Sequence, residues 1–179
     1  MLKKISYLFL ALPLGAILVS CNQPQQTTTT SEVEDTKVAT QLEYKDFGNA
    51  PFVFNIEDYT VQNETYRTAL WTGQFMQLTV MNILPGEDIG LELHDDHDQF
   101  IRVEQGEGIV RMGDTEDNLT FEEIVKDDYA IMIPAGKWHN VINTSDKPLK
   151  LYSIYAPAEH NKGTVHTTRD EAMADEHEH

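Results

Sequence analysis

The sequence has no pair of cysteines and few basic residues. Cys21 is the only cysteine among 179 residues, which excludes an intramolecular disulfide. Thirteen Lys and Arg residues stand against thirty Asp and Glu residues, for a formal net charge of −17. Nucleic-acid binding needs clustered basic side chains that neutralise phosphates, so we expect no nucleic-acid partner. The length suits a domain of ordinary size with a buried core.

Long apolar runs are also absent, except at the N-terminus. Two lysines precede residues 5–19, which are almost wholly apolar. This run is shorter than the roughly 20 residues of a membrane-spanning helix and fits the core of a signal peptide. It ends in LVSC, which resembles the lipobox of bacterial lipoproteins. The resemblance implies a signal peptide over residues 1–20 and lipidation of Cys21. The alternatives are a plain secretory signal or an uncleaved anchor.

Residues 21–41 contain four successive threonines, few apolar side chains and no aromatic ring. Such a segment cannot bury enough apolar area to offset its ordering entropy, so we expect a disordered tether. Acyl chains on Cys21 would hold the domain that follows at a membrane. We therefore expect a bacterial cell-envelope protein, lipid-anchored on the periplasmic or outer-surface face of a membrane.

Short apolar segments bounded by Gly, Pro, Asp or Asn fill residues 42–158. In Phe75–Leu84 both alternating sets of side chains are partly apolar, which predicts a strand buried on both faces. Further short strands are expected at 89–93, 99–104, 108–112, 118–124, 130–133, 139–143 and 149–155. Regular short strands with turn residues between them predict an all-β sandwich or barrel.

The strand pattern fades after Pro157. We expect residues 159–179 to form a polar C-terminal extension that wraps the edge of the domain. It would include a helical turn or two near 169–176 and a disordered end.

Two stretches of the 42–158 region carry the residues suited to chemistry. The first is Gly86-x5-Glu92-x-His94-x4-Gln99-x6-Gly106. The second is Asp128-x5-Pro134-x-Gly136-x2-His139-x3-Asn143. Their spacing resembles the two motifs of the cupin superfamily, G-x5-H-x-H-x(3,4)-E-x6-G and G-x5-P-x-G-x2-H-x3-N. The resemblance implies a single-domain double-stranded β-helix, or jelly-roll barrel.

The resemblance also implies that Glu92, His94, Gln99 and His139 bind one metal ion. Glu92 stands where the family usually has histidine, and Gln99 where it usually has glutamate. Such mixed nitrogen and oxygen donors favour Mn²⁺, Fe²⁺ or Ni²⁺, with Zn²⁺ possible. Alternate residues of a strand share a face, so we expect Glu92 and His94 to point into the barrel together. The alternative is a barrel that has lost its ion and binds a ligand through hydrogen bonds.

His97 lies in an acidic stretch between His94 and Gln99. Its three-residue spacing from His94 is wrong for a shared strand face. We therefore interpret Asp95–Asp98 as a solvated turn and His97 as a bystander. The alternative is that His97 or Asp96 enters the site as a ligand or proton shuttle.

Alternation along the later strands predicts what lines the barrel. Ile101, Val103 and Val141 would face inward with the metal ligands. This predicts a mostly apolar cavity with a polar cap, which suits a small, partly apolar organic ligand.

Three apolar residues, Leu91, Leu93 and Phe100, would face outward and need a cover. The N-terminal segment, a second sheet or a second subunit could provide it. Many cupins dimerise over that surface, so the resemblance implies a homodimer.

Two functions stay open. One is a metal-dependent enzyme of oxygenase or isomerase type acting on a small organic molecule, with Glu92 as a ligand or general base. The other is a non-catalytic module that binds a small molecule or sugar. Residues 49–73 and 149–166 further resemble small cupins labelled as similar to mannose-6-phosphate isomerase. That label rests on fold, which does not determine the reaction.

Overall fold

The computed structural model describes residues 41–176, so Cys21, the predicted signal peptide and the tether up to residue 40 lie outside it. The strands are β1 (Arg67–Thr72), β2 (Gln77–Ile83), β3 (Asp98–Gln105), β4 (Glu107–Gly113), β5 (Phe121–Lys126), β6 (Ala130–Ile133), β7 (Trp138–Asn143), β8 (Leu149–Ala156) and β9 (Val165–His166). The helices are α1 (Ile56–Gln62) and α2 (Arg169–Glu176). In this described part, neither helix is long and apolar enough to cross a membrane.

The strands form two antiparallel sheets that share one core. The larger sheet has the order β6-β3-β8-β2-β1-β9, and the smaller has the order β5-β4-β7. Side chains of both sheets meet in one buried apolar cluster, with Ile101 and Leu151 from the larger sheet and Val110 and Val141 from the smaller. The predicted all-β jelly-roll barrel is confirmed.

Strand β2 is buried along its whole length, as its sequence predicts. Met81 and Ile83 belong to the core between the sheets. Leu78 and Val80, on the other face, pack into a separate apolar cluster outside the larger sheet. A strand with an apolar layer on both faces needs apolar residues in both alternating sets, which explains the pattern.

The N-terminal segment supplies this outer layer. Rings of Phe47, Phe52 and Phe54 stack on one another, with centroids 4.2 and 4.6 Å apart. They pack with Tyr59 of α1 against the outer face of the sheet, where Phe100 lies. Of the three covers considered for Phe100, the N-terminal segment is the one found. The sequence patterns did not predict α1, whose first turn is capped by the side chain of Asn55.

The predicted strand over residues 89–93 is wrong. Only isolated bridges join Asp88 to Ile142 and Glu92 to His139 in this stretch. Gly90 has a φ of +97°, a backbone conformation that interrupts an extended strand. Strand alternation therefore does not set the directions of the side chains in this stretch.

The C-terminal segment packs against the barrel. Strand β9 pairs with β1, and helix α2 buries Ala172 in the barrel core. The guanidinium of Arg169 contacts the carboxylate of Asp88 at 2.6 Å. The expected short helix near 169–176 is confirmed, and this segment is close enough to contribute to a site.

Asp46 joins three parts of the chain. Its carboxylate accepts hydrogen bonds from the backbone N–H groups of Gly48, Thr72 and Gly163, at 2.8, 3.0 and 3.0 Å. The hydroxyl of Thr72 donates a further one. Burial raises the pKa of Asp46, but these hydrogen bonds outweigh it and lower the pKa below its ordinary value.

Replacing Asp46 by alanine is expected to lower the free energy of unfolding by about 2 kcal/mol at pH 7, since bonds to a charged acceptor are lost. A lowered folded-state pKa gives stability above the unfolded pKa that disappears as pH falls through the folded pKa. The difference from wild type should therefore shrink below about pH 4. Urea unfolding at pH 7 and pH 3 measures it, with Glu116→Ala as an exposed control. A difference that stays constant with pH would contradict this role.

Candidate metal centre

Backbone hydrogen bonds bring the two sequence motifs together. Glu92 and His139 each donate an N–H to the other's carbonyl, at 3.1 and 2.9 Å. The N–H of Gly136 donates to the carbonyl of His94 at 2.7 Å, and the N–H of Ala135 donates to the carboxylate of Asp98 at 2.9 Å. The irregular stretch before β3 is therefore tied to the turn before β7, which sets Glu92 beside His139.

The side chains of Glu92, Gln99 and His139 converge on one point. The Nε2 atom of His139 lies 3.1 Å from Oε1 of Glu92 and 2.8 Å from Oε1 of Gln99. The Nδ1 of His139 donates to the carbonyl of Lys137 at 2.9 Å. The amide Nε2 of Gln99 donates to the hydroxyl of Ser153 at 2.9 Å, which directs its oxygen to His139.

These hydrogen bonds leave three electron-rich atoms facing one another. A neutral imidazole that donates through Nδ1 has a lone pair on Nε2. In His139 that lone pair faces a carboxylate oxygen and an amide oxygen, neither of which can donate. Such a group repels itself unless a cation or a proton lies between its members.

His94 completes the predicted set. It is buried, and its Nε2 lies 3.5 Å from Oε1 of Glu92 and has no partner in hydrogen-bond geometry among residues 41–176. Metal–ligand bonds of about 2.1 Å set neighbouring donor atoms about 3.0–3.4 Å apart. The separations of 3.1 and 2.8 Å from His139 to Glu92 and Gln99, and of 3.5 Å from His94 to Glu92, are close to that spacing, so the residues fit a divalent metal ion. We call Glu92, His94, Gln99 and His139 the first cluster.

Local charges keep Glu92 ionised. Burial raises its pKa, but hydrogen bonds from the rings of His139 and His94, when these rings carry the proton, and the charge of Arg67 outweigh burial and lower the pKa well below its ordinary range. Burial lowers the pKa of His94, while Glu92 and Glu159 raise it more. A carboxylate held ionised so firmly accepts a proton poorly, which favours Glu92 as a ligand over Glu92 as a general base.

His97 is not in a solvated turn. Its side chain is 3% exposed, and its ring stacks on that of His94 with centroids 4.5 Å apart. Its Nε2 lies 3.4 Å from a carboxylate oxygen of Glu159. The interpretation of His97 as a bystander assumed that His94 and His97 lie on one strand. Residues 89–97 form no strand, so a spacing of three residues allows the two rings to lie side by side.

A cavity of about 380 Å³ opens beside the first cluster. Its lining consists of Glu92, Leu93, His94, Glu159, His160, Asn161, His166 and Asp175. The predicted mostly apolar cavity is wrong, because Ile101, Val103 and Val141 fill the barrel core instead of lining open space. Polar side chains of the C-terminal segment form the outer wall.

His160 is held in this wall by a side-chain clamp. The buried amide of Gln77 donates to the carbonyl of His160 and accepts from its N–H, both at 2.9 Å. Burial, followed by the charge of Arg67, lowers the pKa of His160 to about 3, so its ring is neutral at physiological pH. A neutral imidazole can donate to or accept from a ligand.

Five residues of the site were outside the sequence-based set of ligands: His97, Glu159, His160, His166 and Asp175. Four of them come from the segment after Pro157. The available signal was the density of histidines and acidic residues in that segment, which has little apolar periodicity to explain it.

Comparisons with known proteins agree with the fold. The family described as "Cupin domain" matches residues 79–155. Uncharacterized protein YrkC of Bacillus subtilis (strain 168) is 60% identical over 132 residues, which cover 74% of this chain and 71% of that protein. Protein L612 of Acanthamoeba polyphaga mimivirus is 38% identical over 125 residues, covering 69% and 76%. The crystal structure of BH2720 from Bacillus halodurans is 62% identical, with a TM-score of 0.72 and coverage of 73% and 98%. This chain belongs to the cupin superfamily.

Proposed function

We propose that the barrel binds a divalent metal ion through the first cluster and acts on a small polar organic molecule by oxygenase- or isomerase-type chemistry. The observation that carries the proposal is the meeting of Nε2 of His139 with a carboxylate oxygen of Glu92 and an amide oxygen of Gln99, a group that needs a cation or a proton between its members. Mixed imidazole, carboxylate and amide donors favour Mn²⁺, Fe²⁺ or Ni²⁺, with Zn²⁺ possible. A bound ion would supply Lewis-acid activation of a substrate, or a centre for O₂.

The protein's own groups orient the ligands and the substrate. The bond from His139 to the carbonyl of Lys137 keeps Nε2 available, and the bond from Gln99 to Ser153 orients the amide. The neutral ring of His160 and the amide of Asn161 offer donors and acceptors in the cavity wall. The acidic lining favours an uncharged, hydroxyl-rich substrate over an anionic one.

Elemental analysis of the full chain tests the metal. We expect at least one first-row metal ion per chain, either retained on purification or taken up on loading with Mn²⁺, Fe²⁺, Ni²⁺ or Zn²⁺. A protein that takes up no ion in any loading condition would overturn the proposal. Turnover of polar hydroxy or carbonyl compounds by the loaded protein then tests the reaction.

Replacing Gln99 by glutamate is expected to strengthen metal binding about tenfold, or ~1.4 kcal/mol. A carboxylate is a stronger ligand for a hard cation than an amide. Without metal, the same substitution should lower thermal stability, because a second carboxylate would face Glu92. Competition with a chromogenic chelator measures the affinity. Asn161→Asp adds equal charge to the cavity wall as a control, and equal gains in both variants would argue against Gln99 as a ligand.

A non-catalytic binding module is the second candidate. The cavity wall is dense in hydrogen-bonding groups, which suits retention of a sugar or another polar molecule. Saturable binding of a sugar that the metal-loaded protein leaves unchanged would favour this candidate. Metal-dependent conversion of a bound compound would favour the enzyme.

We also propose that Cys21 carries acyl chains that hold the domain at a membrane of a bacterial cell envelope. The LVSC sequence after an apolar run supports this proposal. Expression in a bacterium that processes lipoproteins should place the chain in the membrane fraction, and Cys21→Ser should release it. A membrane-bound Cys21→Ser protein would indicate an uncleaved anchor instead.

A homodimer is the remaining proposal. Since the N-terminal segment covers Phe100, the dimer would use another surface. Edge strands β5 and β6 expose Ile124 and Met132, at 62% and 68%. Sedimentation of the wild type and of Ile124→Lys tests this, and a wild-type monomer would contradict it.

A further inference from the structure

A second group of ligand-type atoms lies on the other side of His94. The Nδ1 of His94 is 3.6 Å from Oε2 of Glu159, and the Nε2 of His97 is 3.4 Å from the same oxygen. We call His94, His97 and Glu159 the second cluster. Two of its members, His97 and Glu159, have no part in the first cluster.

His97 has the arrangement of a metal-binding histidine. Its Nδ1 lies 2.8 Å from a carboxylate oxygen of Asp96, which can only accept, so Nδ1 donates and Nε2 is the nitrogen whose lone pair a metal ion can take. That Nε2 is buried, faces Glu159 and has no partner in hydrogen-bond geometry within the described part of the chain. A histidine that donates its other N–H to a carboxylate is the usual state of a metal ligand.

Glu159 gives the second cluster access to solvent. Its side chain is 35% exposed and lines the polar cavity, while the two rings are buried. Two imidazole nitrogens and one carboxylate oxygen with an open side form a donor set that binds Zn²⁺.

We propose that His94, His97 and Glu159 form a second divalent-cation site, adjacent to the first cluster and suited to Zn²⁺. The donor atoms of this site are Nδ1 of His94, Nε2 of His97 and a carboxylate oxygen of Glu159. None of these atoms belongs to the first cluster, so the proposal does not require an ion there. With both sites filled, His94 would bridge the two ions through Nε2 and Nδ1. Its ring proton would then pass to solvent, leaving an imidazolate.

Counting Zn²⁺ in the full chain and its variants tests this inference. Equilibrium dialysis followed by elemental analysis should give one ion fewer than wild type in His97→Gln and in Glu159→Gln. His139→Gln should also lose one ion, from the first cluster. His166→Gln removes a buried imidazole from the same cavity wall and should lose none. All variants keep the histidines of the C-terminal tail, so only differences from wild type are compared.

The pattern of losses separates the two sites. Unchanged ion counts in both His97→Gln and Glu159→Gln would overturn the second site, and a loss in His139→Gln alone would leave the proposed function standing. A loss in His97→Gln and Glu159→Gln without a loss in His139→Gln would support the second site and overturn the first. No bound Zn²⁺ in wild type would overturn the second site.

A milder variant covers the case in which His97→Gln does not fold. Asp96→Asn leaves His97 in place but weakens the group that fixes its ring. We expect about 10- to 100-fold weaker Zn²⁺ binding at the second cluster. Asp95→Asn removes the same charge from the neighbouring residue, whose side chain is exposed, and should leave the affinity unchanged. Equal effects of the two variants would overturn the proposed role of His97.

Discussion

Replacing His139 by glutamine is expected to weaken metal binding at the first cluster more than 100-fold. The Nε2 of His139 is the atom that lies closest to both oxygen donors, at 3.1 and 2.8 Å. Its ring is fully buried, so water cannot readily take its place. Loss of an outer-shell partner of a metal ligand already costs about 10- to 100-fold in affinity, and loss of a direct ligand should cost more.

A chelator-competition titration with Mn²⁺ or Ni²⁺ measures this loss. His166→Gln is the matched control, because it removes another buried histidine of the site region whose Nε2 instead faces Asp175 at 3.1 Å. Circular dichroism and urea unfolding without metal check that both variants fold. Wild-type affinity in a folded His139→Gln protein would show that the ion, if bound, is held elsewhere.

Replacing Gly106 by alanine is expected to lower the free energy of unfolding by about 2–5 kcal/mol. Gly106 has a φ of +95°, and a Cβ added there would lie 2.6 Å from the carbonyl oxygen of Pro148 and 3.0 Å from Cα of Leu149. The backbone conformation costs a side chain about 1–2 kcal/mol. Overpacking against backbone atoms, which cannot rotate away, adds about 1–3 kcal/mol.

Gly86→Ala separates these two contributions. Gly86 has a φ of +81°, but a Cβ there meets nothing within 4 Å. We expect it to cost only the conformational part, about 1–2 kcal/mol. Urea unfolding of both variants measures the difference between their free energies of unfolding. That difference is the cost of placing a Cβ at Gly106 against the turn before β8. Equal costs would mean that the backbone near Pro148 shifts to accommodate the added Cβ.

The fold was predictable because the strand pattern and the two motifs are local in sequence. Regular strands such as β6, and the double burial of β2, follow from residues within each segment. The strand predicted at 89–93 failed because one glycine, Gly90, takes a backbone conformation that apolar alternation does not reveal. Asp128 stands at a motif position that is usually glycine and has a φ of +70°, which aspartate tolerates better than most residues.

The candidate site was predictable only on its barrel side. Motif spacing predicted that four residues lie together, and they do: Glu92, His94, Gln99 and His139. His97 contacts Glu159, which lies 62 positions later along the chain in a segment whose placement no periodicity indicates. Contacts between distant segments of this kind cannot be read from hydrophobic patterns.

The match to the cupin family ends at residue 155, yet most of the cavity wall comes from residues 159–175. The barrel and most of the wall of its cavity are therefore encoded in different stretches of the gene. Exchange of residues 159–175 between relatives would change the cavity wall without replacing any member of the first cluster. A substrate identified for one cupin can be transferred to another only when the residues after the barrel are alike as well.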